Sequence, residues 1–208
     1  AEKIETDQLI NELKNVDGIL IPGGFGYRGV EGKIQAIKFA RENDIPFFGI
    51  CLGMQLSVIE IARNLTGKKD SNSTEFTTSN NPVVSLMTEW NNENKTEKRD
   101  LTSDKGGTMR LGSYRAVLKK GSKIHNIYNS DEISERHRHR YEVNLSYTKD
   151  FEQKGFHFSG MSPDNILPEV IESVNHKWFI GVQFHPELKS RPLAPHPLFS
   201  SFIKHCIK

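Results

Sequence analysis

The sequence predicts a three-layer α/β/α protein whose central sheet is mostly parallel and whose C-terminal part is rich in β-structure. Strand-like and helix-like segments alternate between residues 16 and 64, and a series of short strand-like segments begins after residue 107. Alternation of this kind implies right-handed crossovers and helices on both faces of a sheet. With 208 residues the chain is long enough for one buried core and short for two full domains. We therefore expect a single domain over residues 1–208.

The alternating half begins with a compact apolar run that ends at Pro22-Gly23-Gly24, as a buried parallel strand leading into a loop would. The apolar spacing that starts at Ile34 predicts a helix ending near Asn43. A second apolar run then leads directly into another helical pattern. The predicted elements are a strand at 16–21, a helix at 34–43, a strand at 45–50 and a helix at 52–64.

The second half reads differently. Two stretches rich in Asn, Ser, Thr, Lys and Glu, at 67–81 and 91–106, are predicted as loops, with a strand at 83–87 between them. Alternating or continuous apolar patterns then predict strands at 110–117, 136–143, 156–161, 169–173 and 179–185, a hairpin turn at 175–177 and a closing helix at 198–207.

The composition excludes several classes of protein. A net charge of +2 gives no reason to expect binding to nucleic acid or to an anionic membrane. No uncharged apolar stretch approaches the roughly 18 residues of a membrane span, and the first residues do not resemble a signal peptide. The only two cysteines, Cys51 and Cys206, argue against a disulfide framework and for a reducing compartment. We expect a cytoplasmic protein.

The stretch Gly49-Ile50-Cys51-Leu52-Gly53 predicts a cysteine nucleophile. It joins a predicted strand to a predicted helix, so Cys51 is expected on a tight, strained turn whose flanking glycines allow close backbone approach. A cysteine at a helix N-terminus also lies where the helix dipole favours the thiolate over the thiol.

The stretch Phe184-His185-Pro186-Glu187 supplies a candidate base and a group to orient it. Pro186 biases His185 toward an extended backbone at the end of a strand, where open α/β sheets place their active sites. Glu187 can fold back onto the imidazole. The chain order Cys51, His185, Glu187 differs from the nucleophile, acid, histidine order of the α/β-hydrolases and disfavours an esterase.

Together, Pro22-Gly23-Gly24-Phe25-Gly26 and the two stretches around Cys51 and His185 resemble the class I (triad) glutamine amidotransferases. More narrowly, the chain is similar to the glutaminase domains of the CTP synthase family. This narrower resemblance lies in GYRGVEGK at 26–33, NSTEF at 72–76, GGTMRLG at 106–112 and ERHRHRYEVN at 135–144. It implies a flavodoxin-like fold.

The resemblance also implies the roles of individual residues. Cys51 would attack the carboxamide of L-glutamine, His185 would transfer protons and Glu187 would orient His185. The backbone N–H groups of Gly24 and Leu52 would form the oxyanion hole. The glutamine-binding residues would be Gly24, Leu52, Gln55, Glu75 for the α-ammonium and Arg140 for the α-carboxylate. Arg99 falls where the family senses GTP, its allosteric activator.

The basic run from Arg136 to Arg140 permits two other interpretations. In a strand, His137 and His139 share one face and the arginines share the other, so the histidines could bind a metal ion. A metal site would need two more ligands nearby, and none is evident in the sequence. A nucleic-acid patch would need interleaved aromatic residues and a larger positive charge. We expect neither a metal nor nucleic acid.

For the complete enzyme, the resemblance implies an amidoligase domain, normally in the same chain, that uses ATP and Mg and receives the ammonia. No Gly-rich Lys-Ser/Thr phosphate loop appears in these residues, so no cofactor is expected in this chain. The resemblance also implies that the complete enzyme is a homotetramer. Compared with members of the family, the chain is expected to lack the first strand and helix of the glutaminase domain. The alternatives are another class I amidotransferase, a γ-glutamyl hydrolase, or a scaffold that retains the fold.

Overall fold

Strands and helices alternate in the first part of the chain, as its sequence predicts. The computed structural model describes residues 10–86, 89–92, 95–98 and 109–207. The alternating elements are α1 (Ile10–Leu13), β1 (Ile19–Ile21), α2 (Val30–Glu42), β2 (Phe47–Ile50) and α3 (Leu52–Leu65).

The remaining elements are mostly short strands. They are β3 (Asn72–Ser73), β4 (Pro82–Leu86), β5 (Glu89–Asn92), β6 (Lys95–Lys98), β7 (Arg110–Leu118), α4 (Lys123–Tyr128), β8 (Glu132–His139), β9 (Tyr141–Val143), α5 (Thr148–Glu152), β10 (Phe156–Met161), β11 (Pro168–Ser173), β12 (Phe179–Val182) and α6 (Pro197–Cys206). Short 3₁₀ turns lie at Leu145–Tyr147 and Pro186–Leu188.

A seven-stranded sheet with the order β1-β2-β12-β11-β10-β7-β8 forms the centre of the described structure. Strands β1, β2 and β12 run parallel to one another, and the four further pairings, from β12 across to β8, are antiparallel. The α/β class is confirmed, but parallel strands do not dominate the described part of the sheet. Two of the antiparallel pairs, β10–β11 and β11–β12, are joined by short connections, which produce antiparallel neighbours.

A second, three-stranded sheet with the order β3-β4-β9 lies beside the first. It corrects the prediction of one strand over 136–143, because the chain bends at Arg140 and divides this segment between two sheets. Strand β8 pairs with β7, whereas β9 pairs with β4. The bend therefore places Arg140 at the junction of the two sheets.

The core lies on both faces of the central sheet. Phe47 and Phe48, adjacent in β2, point to opposite faces and are both fully buried. Phe47 packs in the cluster formed with α2 and α3, and Phe48 packs with Trp178 and Phe202 of the cluster under α6. A continuous apolar β2 is what a strand covered on both faces requires.

Helices α1, α4 and α5, strand β3 and one hairpin were not predicted. Helix α4 is six residues long and begins at Ser122, whose side chain accepts the N–H of His125. Helix α5 has five residues, and such lengths carry no readable helical periodicity. Strands β5 and β6 pair within the stretch predicted as a loop from residue 91. None of the helices in the described part of the chain is long and apolar enough to span a membrane.

Close packing of helix α3 on strand β1 depends on Gly53. A β-carbon at this position would overlap the backbone carbonyl oxygen of Ile21, which cannot move aside as a side chain would. We expect Gly53→Ala to lower the free energy of unfolding by about 1–3 kcal/mol, as overpacking of a core does. Gln35→Ala, at an exposed position of α2, is the control and should change it by less than about 0.5 kcal/mol. Urea unfolding measures both, and equal effects would contradict the packing.

Candidate active site

Three parallel strand ends meet at the candidate site. Strand β1 is followed by Gly23 and Gly24, strand β2 by Cys51, and strand β12 by His185. Strand β2 lies between β1 and β12, with Gly49 opposite Ile21 and Ile50 opposite Val182. The carboxyl ends of neighbouring parallel strands lie at the same sheet edge, so the topology brings together residues that are far apart in the sequence.

Cys51 occupies the strained turn that its flanking glycines predict. Its backbone has φ +52° and ψ −102° at the N-cap of α3, an unfavourable conformation for a residue with a side chain. Two hydrogen bonds fix it: the Cys51 N–H donates to the carbonyl of Val182 at 2.7 Å, and its carbonyl accepts the N–H of Gln55 at 3.1 Å. A β-carbon on Gly49 would lie 2.7 Å from the backbone of Gly53, so only glycine fits beside the turn.

The Cys51 thiol is buried, and burial raises its pKa to about 12. A hydrogen bond from the backbone of Leu52 acts in the opposite direction, while the carboxylates of Glu142, Glu187 and Glu75 raise the pKa further. The helix N-terminus thus favours the thiolate, as the sequence suggests, but burial and three nearby carboxylates outweigh it. Burial and these carboxylates therefore favour the protonated thiol, so attack by the sulfur requires a base.

His185 and Glu187 form a hydrogen-bonded pair, with 2.6 Å between Nδ1 and a carboxylate oxygen. Burial acts to raise the pKa of Glu187, but the hydrogen bond from His185 and the neighbouring charge together hold that pKa below its usual value. The ionised carboxylate therefore keeps the proton on Nδ1. No group in the described part of the chain bonds to the buried Nε2, which is left as an acceptor.

Gly23 lies between the histidine and the cysteine. A β-carbon there would lie 2.6 Å from Cε1 of His185 and 3.5 Å from Cβ of Cys51. Both side chains thus contact the same small residue, and any larger one would displace the imidazole. The sequence predicts only close backbone approach at the Gly23-Gly24 pair, whereas Gly23 also makes room for His185. Gly24 lies next to Leu52, since its β-carbon would be 3.3 Å from a methyl carbon of that residue.

Glu75 and Arg140 both lie near Tyr141. Burial raises the pKa of Tyr141, the charge of Glu75 raises it further and the charge of Arg140 lowers it, which places both charges close to this phenol. Glu75 also accepts the backbone N–H of Gly26 at 2.9 Å and so connects to the loop that carries Gly24. A carboxylate and a guanidinium are the partners that the ammonium and the carboxylate of an amino acid require.

Gln55 lies one turn into α3, where it is buried. Its side-chain nitrogen donates to the carbonyl of Tyr141 at 2.9 Å and to the side-chain oxygen of Gln183 at 3.2 Å. These bonds connect the helix of the nucleophile to both sheets. Gln55 is therefore a structural link between α3 and its neighbours, and its side-chain nitrogen is engaged by both bonds.

A buried charge cluster behind the site was not predicted. Arg110 is buried and forms ion pairs with Glu142 at 3.2 Å and Glu169 at 2.7 Å. Its cation also compensates for Glu142, a carboxylate that acts on the Cys51 thiol. The sequence does contain a signal for this cluster: charged residues occupy positions of alternating strands that face inward. Such residues are buried only when they are paired, so they predict buried ion pairs.

His137 and His139 face inward, and Arg136 and Arg138 face outward, as the alternation predicts. The two imidazoles bond to each other, with 2.9 Å between Nδ1 of His137 and Nε2 of His139. Burial holds the pKa of His137 well below its usual value, with the charge of Arg110 contributing. Across the described ranges, no group of three or more potential ligands forms a metal cluster.

Residues 2–205 match the family described as glutamine amidotransferase class-I. The chain belongs to this family. As a class I glutamine amidotransferase, it carries its cysteine and histidine at adjacent parallel strand ends, where the sequence predicts them.

Proteins similar to this amidotransferase include CTP synthases. One from Paramagnetospirillum magneticum is 58% identical over 208 residues, and one from Bradyrhizobium diazoefficiens is 62% identical over 205 residues. These alignments cover 100% and 98% of this chain but 38% of each relative. Among solved structures, the glutaminase domain of Trypanosoma brucei CTPS with bound acivicin is 39% identical, with a TM-score of 0.85, over 96% of this chain and 74% of that one.

A more distant structural neighbour shows the fold alone. A putative GMP synthase protein from Thermoplasma acidophilum is 17% identical, with a TM-score of 0.58, over 95% of this chain and 76% of that one. Of the residues singled out in the sequence, Arg99 lies outside the described residues. Of the others, Cys51 and His185 follow adjacent parallel strands, Glu187 bonds to His185 and Gly24 adjoins Leu52.

The raised pKa of the Cys51 thiol predicts how this amidotransferase reacts with iodoacetamide in the absence of glutamine. The rate of alkylation at Cys51 should keep rising with pH beyond pH 10, because the thiolate forms only as pH approaches about 12. Peptide mass spectrometry over a pH series measures this rate, with the half-buried Cys206 as internal reference. A plateau that begins near pH 6–7 would instead show a preformed thiolate–imidazolium pair. That result would contradict the raised pKa of Cys51.

Proposed function

We propose that this chain is the glutaminase part of a CTP synthase, which hydrolyses L-glutamine at Cys51 and supplies ammonia for the amination of UTP to CTP. The observation that carries the chemistry is the meeting of a buried cysteine at positive φ with a carboxylate-bound histidine at the next parallel strand end. The similarity to CTP synthases at 58–62% identity supports the choice of acceptor.

In the first half-reaction, Nε2 of His185 removes the Cys51 thiol proton while the sulfur attacks the side-chain carbonyl carbon of glutamine. The C–N bond then breaks, and His185 returns the proton to the nitrogen, which leaves as ammonia. A γ-glutamyl thioester remains. Glu187 keeps the proton of His185 on Nδ1, so Nε2 begins as an acceptor.

In the second half-reaction, His185 activates a water molecule that attacks the thioester carbon. The C–S bond breaks, glutamate is released and the proton returns to the sulfur. Both tetrahedral intermediates carry negative charge on the former carbonyl oxygen. The backbone N–H groups of Gly24 and Leu52 are assigned to stabilise it, a contribution of about 2.7–4 kcal/mol per donor in comparable sites.

Glutamine is recognised at its α-carbon by two opposite charges. We assign Glu75 to the α-ammonium and Arg140 to the α-carboxylate, because these charges flank Tyr141 at the edge of the site. Arg140 lies at the bend between the two sheets, where a forked guanidinium can pair with a carboxylate. Gln55, Gly24 and Leu52 complete the pocket.

The remaining steps are assigned to a part of the enzyme outside this chain, since the chain spans 38% of the length of the CTP synthases it matches. That part would hold the amidoligase domain with its ATP and Mg, and the complete enzyme would be a homotetramer in the cytoplasm. The sequence here has no phosphate-binding loop, and the described residues form no metal cluster. GTP would act as an activator through the loop that contains Arg99.

The nucleophile is tested by Cys51→Ala in the full-length enzyme. Ammonia release from glutamine should fall by at least about 10³-fold, because the thioester cannot form. CTP synthesis from added ammonia should remain, since it bypasses the glutaminase site. A coupled glutamate assay and a CTP assay on one preparation measure both. Loss of both activities would mean that Cys51 is structural, and full retention of glutaminase activity would disprove its role.

The α-carboxylate partner is tested by Arg140→Ala, which removes binding rather than chemistry. We expect the KM for glutamine to rise about 10- to 100-fold with kcat within about threefold, from the loss of a charge-assisted hydrogen bond. Arg138→Ala is the matched control, because Arg138 lies on the same basic run but is exposed on the outer face of β8. An equal effect of the two substitutions would mean that only the overall positive charge matters, and would contradict a direct contact between Arg140 and the α-carboxylate.

The acceptor is tested separately from glutamine hydrolysis. Stimulation of glutaminase activity in the full-length enzyme by UTP with ATP, and by GTP, is the result expected of a CTP synthase. Indifference to all three nucleotides, with hydrolysis intact, would instead favour a γ-glutamyl hydrolase or another class I amidotransferase.

A further inference from the structure

We propose that Glu135 is a positioning residue for the His185–Glu187 pair, holding the loop that carries this pair against strand β8. The inference rests on the proposed function, because it assumes that His185 transfers protons and that Glu187 orients it. Glu135 lies on β8, on the inward face that also carries His137 and His139, and touches neither Cys51 nor the glutamine pocket in the contacts described.

The carboxylate of Glu135 accepts hydrogen bonds from three donors on two separate segments. It is 1% exposed, and one of its oxygens accepts from the Tyr128 hydroxyl at 3.1 Å, from Nε2 of His196 at 3.1 Å and from Nζ of Lys189 at 3.3 Å. Tyr128 ends α4, whereas Lys189 and His196 belong to the segment that follows the catalytic histidine. One buried carboxylate thus fixes this segment at two points.

The attachment extends to both sides of the catalytic pair. Lys189 follows Glu187 by two residues and also donates to the carbonyl of Ser134 at 2.8 Å. On the other side, the His185 N–H donates to the carbonyl of Arg136 at 2.8 Å. Three successive residues of β8, with Glu135 at their centre, therefore hold the chain immediately before and after the pair.

The protons on the donors are fixed by the surrounding structure. Nδ1 of His196 accepts the Leu198 N–H at the start of α6, so the proton of a neutral ring lies on Nε2 and points at Glu135. Burial raises the pKa of Tyr128, and the charge of Glu135 raises it further, so the phenol remains a donor. The backbone N–H of His196 also donates to the Ser190 hydroxyl at 3.1 Å. This bond closes the segment between Lys189 and His196, the two residues that attach it to Glu135.

A buried carboxylate is a poor means of adding stability, because its desolvation offsets much of what its partners return. Its advantage over an apolar residue is directional: three donors must converge on one oxygen, which defines the position of the loop. Catalysis depends on that position, since a displacement of about 1 Å can cost about 100-fold in rate.

A double-mutant cycle in the full-length enzyme tests this role, using Glu135→Ala, Glu187→Ala and the double variant. We expect Glu135→Ala to lower kcat for glutamine hydrolysis about 10- to 100-fold with KM within about twofold. In the Glu187→Ala background the same substitution should have little further effect, because residues that act through one group are not additive. Glu132→Ala is the control: it lies on the same strand but is exposed and paired with Arg115, and should leave kcat unchanged.

Ammonia-dependent CTP synthesis by the same preparations reports whether each variant is folded. An equal loss of kcat in both backgrounds would mean a general structural effect and overturn the proposal, as would an unchanged kcat in Glu135→Ala. If Glu135→Ala does not fold, Glu135→Gln and Lys189→Ala take its place in the cycle with the same two criteria. Full activity of Glu187→Ala alone would refute the catalytic pair, and with it the positioning role, independently of any Glu135 variant.

Discussion

The backbone of Cys51, held at positive φ between β2 and α3, is the constraint on which the site depends. Such a conformation costs about 1–3 kcal/mol and persists only where the surroundings determine it. Here the strand before it and the helix after it are largely buried, and the hydrogen bond to Val182 ties the turn to β12. The same bond fixes the turn against the strand that leads to His185, so one contact sets the relative position of nucleophile and base.

The residues assigned to the site are distributed over the two sheets. The parallel strands of the central sheet carry the groups assigned to bond breaking, whereas Glu75 and Arg140 adjoin β3 and β9 of the smaller sheet. Gln55 joins the two by donating to Tyr141 from the helix of the nucleophile. The residues proposed to recognise the α-carbon groups of glutamine therefore adjoin one sheet, and those proposed for the chemistry adjoin the other. The buried Arg110 pairs with Glu142 and Glu169.

The sequence predicts the alternating elements and the strained turn at Cys51 well, because β2 and α3 are largely continuous apolar patterns and the flanking glycines leave few alternatives at Cys51. It fails where the information is not local. The division of 136–143 at Arg140 depends on which strands β8 and β9 find as partners. The high pKa of Cys51 depends on burial and on Glu142, which sequence spacing does not reveal. The hydrogen bonds to Glu135 are also non-local, because one of them comes from His196, which is 61 positions away in the sequence.

The most direct test of a glutamine-directed nucleophile at Cys51 is peptide mapping after incubation with 6-diazo-5-oxo-norleucine, an electrophilic glutamine analogue. It requires neither turnover nor an acceptor, so it reports on the site itself. The predicted result is a single adduct on Cys51, none on Cys206, and protection by excess glutamine. An adduct elsewhere, or none at Cys51 in a chain shown to be folded, would contradict the assignment of this turn as the catalytic centre.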